Sequence, residues 1–323
     1  MNLSWKQYLL NLNAQLLAKQ DFPVSAHDAD MPRNFSYPIT HLAVLRVSGE
    51  DAATFLQGQC TCDIHELNEK NSRFGAFCNA KGRVITTFML LKSHQDWLLI
   101  VPSELLADIQ SRLQRYILRA KVQLTDGSAE YCLLGFSCER PTPFNLPEHR
   151  LDVLEQPAII VRLEEQSSRY LLVAECNAPV QNWPDDFTAQ REVDWRLLDI
   201  QAGIPWLCKS TREEYIPQML NLDQLGGISF TKGCYTGQEI VARTHYLGKA
   251  KRGMFTAVVD AISEAPPLNS AIIDQASGET VGTVLATHIS SQQCTLSVVL
   301  ATEARQLSTL TLQDQPLTPL VFL

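Results

Sequence analysis

Gly226-Gly227-Ile228-Ser229-Phe230-Thr231-Lys232-Gly233-Cys234-Tyr235-Thr236-Gly237-Gln238-Glu239-Ile240-Val241-Ala242-Arg243 gathers glycines, a thiol, an amide, a carboxylate and two cations more densely than any other part of this chain. Its four glycines let the backbone turn tightly and approach a neighbour closely. Thr236-Gly237-Gln238-Glu239 has the spacing of a capping box, in which the threonine hydroxyl accepts the Glu239 amide and the carboxylate reaches back. A helix is therefore expected to start here and run to about Tyr246, with Leu247-Gly248 as its stop. Cys234 then falls just ahead of a helix N-terminus and two residues from Lys232, a setting that favours a reactive thiol. The alternative is an inert buried cysteine in a glycine-rich loop.

Outward from this stretch, the cations between Gly226 and Gly253 are Lys232, Arg243, Lys249, Lys251 and Arg252, and Glu239 is the sole carboxylate. The chain as a whole carries a formal net charge of −8, so the segment opposes the sign of the molecule. It reads either as a docking place for an anionic ligand or partner, or as a solvated helix end. The same net charge argues against nonspecific retention of nucleic acid, and no RNA-binding motif occurs.

Upstream, Val193 to Ala202 is helical in pattern, with Trp195, Leu198 and Ala202 along one side, Gly203 as cap and Pro205 beyond. Ser4 can cap a first helix bearing Tyr8, Leu9, Leu12, Leu16 and Leu17, and residues 21–40 read as a connecting segment. Leu42 to Val47 reads as a strand, followed by a short helix ending near Gly58. Phe74 to Cys78 and Val84 to Leu91 form a hairpin across Asn79-Ala80-Lys81-Gly82. Trp97 to Val101 is a strand, and an amphipathic helix starts at Ser103. Tyr131 to Phe136, Ala158 to Leu163 and Tyr170 to Ala174 are further strands. Past Arg252 only short β-rich pieces follow, near 254–259, 271–274, 280–289, 294–300 and 310–312, the texture of a small barrel or sandwich. This order predicts the α+β class, with helices on one face of antiparallel sheets.

A chain of 323 residues exceeds a typical single core and should form two or three domains. The expected boundaries are 1–40 for the first helix and connector, 41–250 for the main region and 251–323 for a β-barrel. Within the main region, 41–130 and 131–192 are two lobes, and 193–250 returns to the core. Nine cysteines without disulfide-framework spacing fit a reducing compartment. Cys60-Thr61-Cys62 is the nearest approach to a metal-binding pair, and no H-x-x-x-H occurs, so no bound metal is expected. No apolar run reaches the length of a membrane span, and a cytoplasmic location is expected.

The run Lys232-Gly233-Cys234-Tyr235-Thr236-Gly237-Gln238-Glu239 is accompanied by Phe55-Leu56-Gln57-Gly58-Gln59, Ala80-Lys81-Gly82-Arg83 and Gln201-Ala202-Gly203-Ile204-Pro205. Together and in this order they resemble the YgfZ family, folate-binding relatives of the glycine-cleavage T-protein (aminomethyltransferase). The resemblance extends from about Leu42 to the C-terminus. It implies two α+β lobes of the aminomethyltransferase folate-binding fold and a C-terminal β-barrel, arranged around a central channel that binds tetrahydrofolate or a derivative. It also implies a role in tRNA modification exerted through maintenance of iron–sulfur enzymes or assembly proteins. Two tryptophans assigned to folate contact in the family correspond to Trp195 and Leu42, where an aromatic face is replaced by an apolar one. Lys81, Arg83, Arg243 and Lys249 are the cations expected to draw the folate's glutamyl tail. Cys234 would carry a thiol role, kept partly ionised by Lys232, while Tyr235, Gln238 and Glu239 shape loop and cap.

The T-protein has a catalytic aspartate shortly after the glycine of its hairpin. Here the corresponding Arg83-Val84-Ile85-Thr86-Thr87 holds no carboxylate, and a hydroxyl is no proton acceptor near neutral pH. Aminomethyl transfer by that route is therefore not expected. Two other readings stand beside the accessory role: a one-carbon transferase or demethylase using Cys234 or Glu239, and an interaction module that recruits cluster proteins through the basic segment.

Overall fold

The structure is a computed structural model describing residues 5–11, 34–140, 142, 145–155, 158–176, 187–248, 250–260, 262, 264–290, 293–307 and 309–323. The chain starts with α1 (5–11), β1 (Asn34–Ile39), β2 (Leu42–Ser48) and α2 (Ala52–Gln57). The hairpin β3 (Ser72–Cys78) and β4 (Val84–Ser93) follows, then β5 (Asp96–Pro102), α3 (Leu106–Ile117) and β6 (Gln123–Asp126). Next come β7 (Tyr131–Cys138), β8 (Val153–Glu155), β9 (Ile159–Arg162), β10 (Arg169–Glu175) and β11 (Phe187–Ala189). Two helices, α4 (Glu192–Gln201) and α5 (Gln238–Leu247), flank a long irregular segment. The chain closes with β12 (Arg252–Asp260), β13 (Ala271–Asp274), β14 (Thr280–Ser290), β15 (Gln293–Ala301), β16 (Leu310–Leu312), β17 (Gln315–Pro319) and β18 (Val321–Phe322).

These elements divide into two compact units. The first comprises Met1–Ala53, His65–Arg73 and Met89–Trp195, and the second Thr54–Ile64, Phe74–Phe88 and Arg196–Leu323.

In the first unit a six-stranded sheet runs in the order β11-β1-β7-β10-β9-β8. Every pairing is antiparallel except β1 with β11. Alternation sends Leu134, Phe136, Tyr170 and Leu172 to one face, where Trp5 of α1 and Phe187 complete an apolar layer. The opposite alternation leaves Gly135 facing Trp195 of α4. Separately, β2 lies between β5 and β6. In α3 the buried residues are Leu106, Ile109, Leu113 and Ile117, the stripe of an amphipathic helix.

In the second unit a seven-stranded sheet in the order β17-β16-β13-β14-β15-β12-β18 forms a nearly closed, barrel-like layer. Its interior includes Val259, Ile272, Val284, Leu296, Val298 and Leu310, all fully or almost fully buried. β12 and β15 pair without interruption from Arg252↔Ala301 to Asp260↔Gln293. A register shift between Val284 and Ala286 bends β14 against β15.

Several expectations need correction. Asn34–Ile39, inside the presumed connector, is a strand between β11 and β7. Its proline disguises it: Pro38 lies beyond Asn34–Ser36, the stretch paired with β11, so it has a single strand neighbour and its missing N–H costs least. The strands β8 and β11 have three residues each, too few to show a period. The strands β17 and β18 form the two ends of their sheet, where proline-containing QPLTP is tolerated. Ser4, Leu12, Leu16 and Leu17 of the expected first helix lie outside the described residues.

Candidate functional site

The glycine-rich stretch belongs to the second unit and is built against two earlier segments of the same unit, residues 58–64 and the tip portion, 74–88, of the β3–β4 hairpin. The hairpin tip is set by Asn79, whose side-chain oxygen accepts from the amides of Lys81 at 2.9 Å and Arg83 at 3.0 Å. Gly82 follows with φ of +68°, and a Cβ there would lie 2.8 Å from Cβ of Ile240. Gly237 answers it with φ of +84°. A Cβ on Gly237 would meet the Asn79 carbonyl oxygen at 2.5 Å and Cα of Gly82 at 2.9 Å. Hairpin tip and motif loop thus touch backbone to backbone, which only glycine permits.

This contact overrides the capping box. α5 starts at Gln238 with Gly237 as its N-cap in the left-handed region, and no side chain among the described residues caps it. Its end at Leu247 agrees with the expected stop.

The other anchor is Thr61. Its hydroxyl donates to the Gly227 carbonyl at 2.6 Å and accepts the Ala76 amide at 2.9 Å, and its own carbonyl accepts the Ser229 amide at 2.9 Å. On either side of it, the carbonyls of Cys60 and Cys62 accept from the Lys232 ammonium at 2.8 and 2.7 Å. Lys232 is 7% exposed, and its Nζ lies 5.3 Å from the centroid of the Tyr235 ring. Burial lowers the lysine pKa, opposed by Cys60, Cys62 and Asp63. Burial also drives the Cys60 thiol well above its ordinary range, with the hydrogen-bonded Cys62 thiol adding to the effect. The Tyr235 phenol is raised by burial in the same way. Cys60, Cys62 and Cys78 are all buried.

The expected Lys232–Cys234 pairing is therefore not what the loop forms. Lys232 and Tyr235 point inward, and the ammonium bonds to backbone carbonyls, whereas Gly233 and Cys234 are exposed. Thr236 and Gln238 are half-buried, and Glu239 is exposed in the first turn of α5.

The other residues singled out from the sequence separate as follows. Lys81 is exposed at the hairpin tip, and Arg243 is exposed on α5. Arg83 is half-buried and donates to the Glu214 carbonyl. Lys249 lies outside the described residues. Thr86 and Thr87 are buried, and their hydroxyls donate to the carbonyls of Thr87 and Pro205. Leu42 is buried at the start of β2, paired with Pro102. In the first unit, Trp195 is 1% exposed. A Cβ on Gly135 would lie 2.4 Å from its ring, the Arg169 guanidinium sits 4.1 Å from its centroid and Tyr37 packs at 5.3 Å.

Glu192 carries no local signal in the sequence. This carboxylate accepts from the amides of Thr40 and His41 and from the Thr40 hydroxyl, and it lies 2.6 Å from the His41 ring nitrogen. Burial pushes its pKa up, but the bonds from His41 and Thr40 prevail and bring it down from 4.5 to about 2. A separation of 152 residues from Thr40 hid the pairing.

Among the described residues, no group of three or more His, Cys, Asp or Glu side chains is placed to hold a metal ion. No helix there is long and apolar enough to cross a membrane. All nine cysteines are free thiols.

Comparison with known proteins bears on these features. Residues 36–137 match the GCVT N-terminal domain. The chain is 31% identical over 289 residues to the tRNA-modifying protein YgfZ of Colwellia psychrerythraea, spanning 85% of this chain and 88% of that one. It is 32% identical over 246 residues to the tRNA-modifying protein YgfZ of Hamiltonella defensa, spanning 71% and 73%. Among solved structures, the glycine cleavage system aminomethyltransferase T from Bartonella henselae is similar with a TM-score of 0.69, covering 92% of this chain and 86% of that one at 13% identity. That likeness concerns the fold alone, and it bears out the α+β aminomethyltransferase class.

Proposed function

Because the chain belongs to the family of the tRNA-modifying protein YgfZ, we propose that it is a folate-binding accessory protein acting in tRNA modification by maintaining iron–sulfur enzymes. The observation that carries the reading is the loop itself. Lys232 and Gly237 fix it to its own unit, and Cys234 is left exposed on it. A thiol displayed on an anchored loop suits transient contact with a cluster or a partner protein.

The residues fit folate as a ligand better than as a co-substrate. Lys81 and Arg243 are exposed cations able to take glutamyl carboxylates, with Arg83 fixed between hairpin and backbone. Tetrahydrofolate supplies a one-carbon carrier when bound. Accepting a proton from its nitrogen needs a base, and Thr86 and Thr87, already bonded to carbonyls, offer none. Leu42 and Trp195, which the resemblance assigns to folate contact, are both buried in the first unit. Because Trp195 is packed under Arg169 and Tyr37, its replacement should lower stability as well as affinity.

Two measurements test the reading. Calorimetric titration should show saturable binding of tetrahydrofolate or its formyl derivative, and a flat titration removes folate from the proposal. Expression in a bacterial strain lacking its own relative should restore tRNA methylthiolation, and Cys234→Ala should not. Full restoration by that variant ends the role of the thiol.

A further inference from the structure

A cavity of about 660 Å³ lies wholly within the second unit, beside the C-terminal end of α5 and the start of β12. Gln218 lines it and is 7% exposed. Its amide nitrogen donates to the Val241 carbonyl at 2.7 Å, while its side-chain oxygen is buried with no hydrogen-bond partner among the described residues. An orphaned buried acceptor is costly, and it is relieved by a ligand that brings an N–H or O–H group.

The rest of the lining has a definite chemistry. Arg252 and Arg305 supply two guanidinium groups, and Asp223 is the one carboxylate among the lining residues. Arg305 lies 5.1 Å over the ring of Phe255, so a planar cation already stacks on that aromatic wall. His245, also lining the cavity, stacks on Phe230 with centroids 3.6 Å apart and planes 13° apart. Tyr246 packs edge-on against both rings and is 65% exposed. The volume is within the range of small-molecule sites.

Cations at the wall, flat rings and a buried acceptor call for three features in one ligand: an anionic group, a planar ring and an N–H donor. We propose that this cavity binds a purine nucleotide, with its phosphate on Arg252 and Arg305 and its exocyclic amine donating to the Gln218 oxygen. The nucleotide is either free or an unpaired residue of RNA. In the second case Tyr246, beside the cavity, stacks the neighbouring base. The overall charge of −8 opposes broad RNA adhesion but not a site for one unpaired residue.

Binding of the full chain to adenosine 5′-monophosphate and to a short oligoadenylate tests this. The analogue that lacks the exocyclic amine, purine riboside 5′-monophosphate, is compared with the first. Adenosine monophosphate should bind with a Kd below about 1 mM, and the exposed-site variant Arg252→Glu should weaken it about tenfold or more. The analogue should bind several-fold more weakly to the wild-type chain, which probes Gln218 without altering the protein. Support takes two forms. A Tyr246→Ala variant that loses affinity for the oligonucleotide alone identifies RNA as the source, and one that changes neither affinity identifies a free nucleotide. The proposal is overturned if neither ligand binds below that limit, if Arg252→Glu leaves binding unchanged, or if formyl-tetrahydrofolate displaces the nucleotide completely.

Discussion

Lys232 places an ammonium where water scarcely reaches, and the carbonyls on either side of Thr61 accept from it. Lys232→Met keeps most of the aliphatic stem and removes the ammonium that donates to both carbonyls. The expected loss is about 2–3 kcal/mol, measured by denaturant unfolding, because an unsatisfied buried acceptor costs about 1–3 kcal/mol. The pH dependence has a definite sign. Burial lowers the folded lysine pKa, so between that value and the ordinary lysine range the unfolded chain binds more protons, and stability rises with pH. The advantage of wild type over Lys232→Met should therefore grow on moving into alkaline solution. Glu192 has the opposite sense: its folded pKa of about 2 lies below its ordinary 4.5. Its contribution is present above 4.5 and disappears as pH falls towards 2. Glu192→Gln should thus lower the stability at neutral pH by on the order of 2 kcal/mol and flatten the acid limb of the stability curve.

At the scale of elements, the hairpin tip and the N-terminus of α5 act as one piece because Gly82 and Gly237 meet without side chains. Gly237→Ala adds a methyl at 2.5 Å from a backbone oxygen in a left-handed conformation. About 2–4 kcal/mol should be lost, as strain of the backbone adds to displacement of the hairpin. Gly233→Ala is the internal control: among the described residues nothing lies within 4 Å of the added Cβ, so the change should stay within about 0.5 kcal/mol. Equal losses at the two positions would refute the contact as the reason for the second glycine. The same elements show what the sequence made legible. α5, the β3–β4 hairpin and the strands β13 and β16 follow from local period and turn residues, all of which act within a few positions. The N-cap of α5 is not legible locally, because Thr236-Gly237-Gln238-Glu239 satisfies a local rule while Gly237 answers to Asn79 and Gly82, over 150 residues earlier. The partners of Lys232 are hidden for the same reason: Cys234 is near in sequence, but Cys60 and Cys62 are near in space. β1 is disguised by Pro38, which imitates a connector.

At the scale of the molecule, chain order and compact unit do not coincide. The second unit needs Thr54–Ile64 and Phe74–Phe88 as well as everything after Arg196. These two short pieces supply what holds the motif: Thr61, the Cys60 and Cys62 carbonyls, Asn79 and Gly82. The barrel-like sheet is different, since all seven strands lie between Arg252 and Phe322 and its buried cluster runs from Ala257 to Leu320. Sheet and motif should therefore part company in a truncated chain. A fragment of residues 196–323 is expected to retain slow amide exchange in β12, β14 and β15, whose ladders are internal to it. Residues 227–243 should exchange fast in the fragment and slowly in the full chain, because the Ser229 amide bonds to Thr61 and the loop has lost its carbonyl and glycine partners. Hydrogen exchange read by mass spectrometry separates the two segments directly. Protection of 227–243 in the fragment would mean that the motif folds on the sheet alone and that the hairpin only receives it.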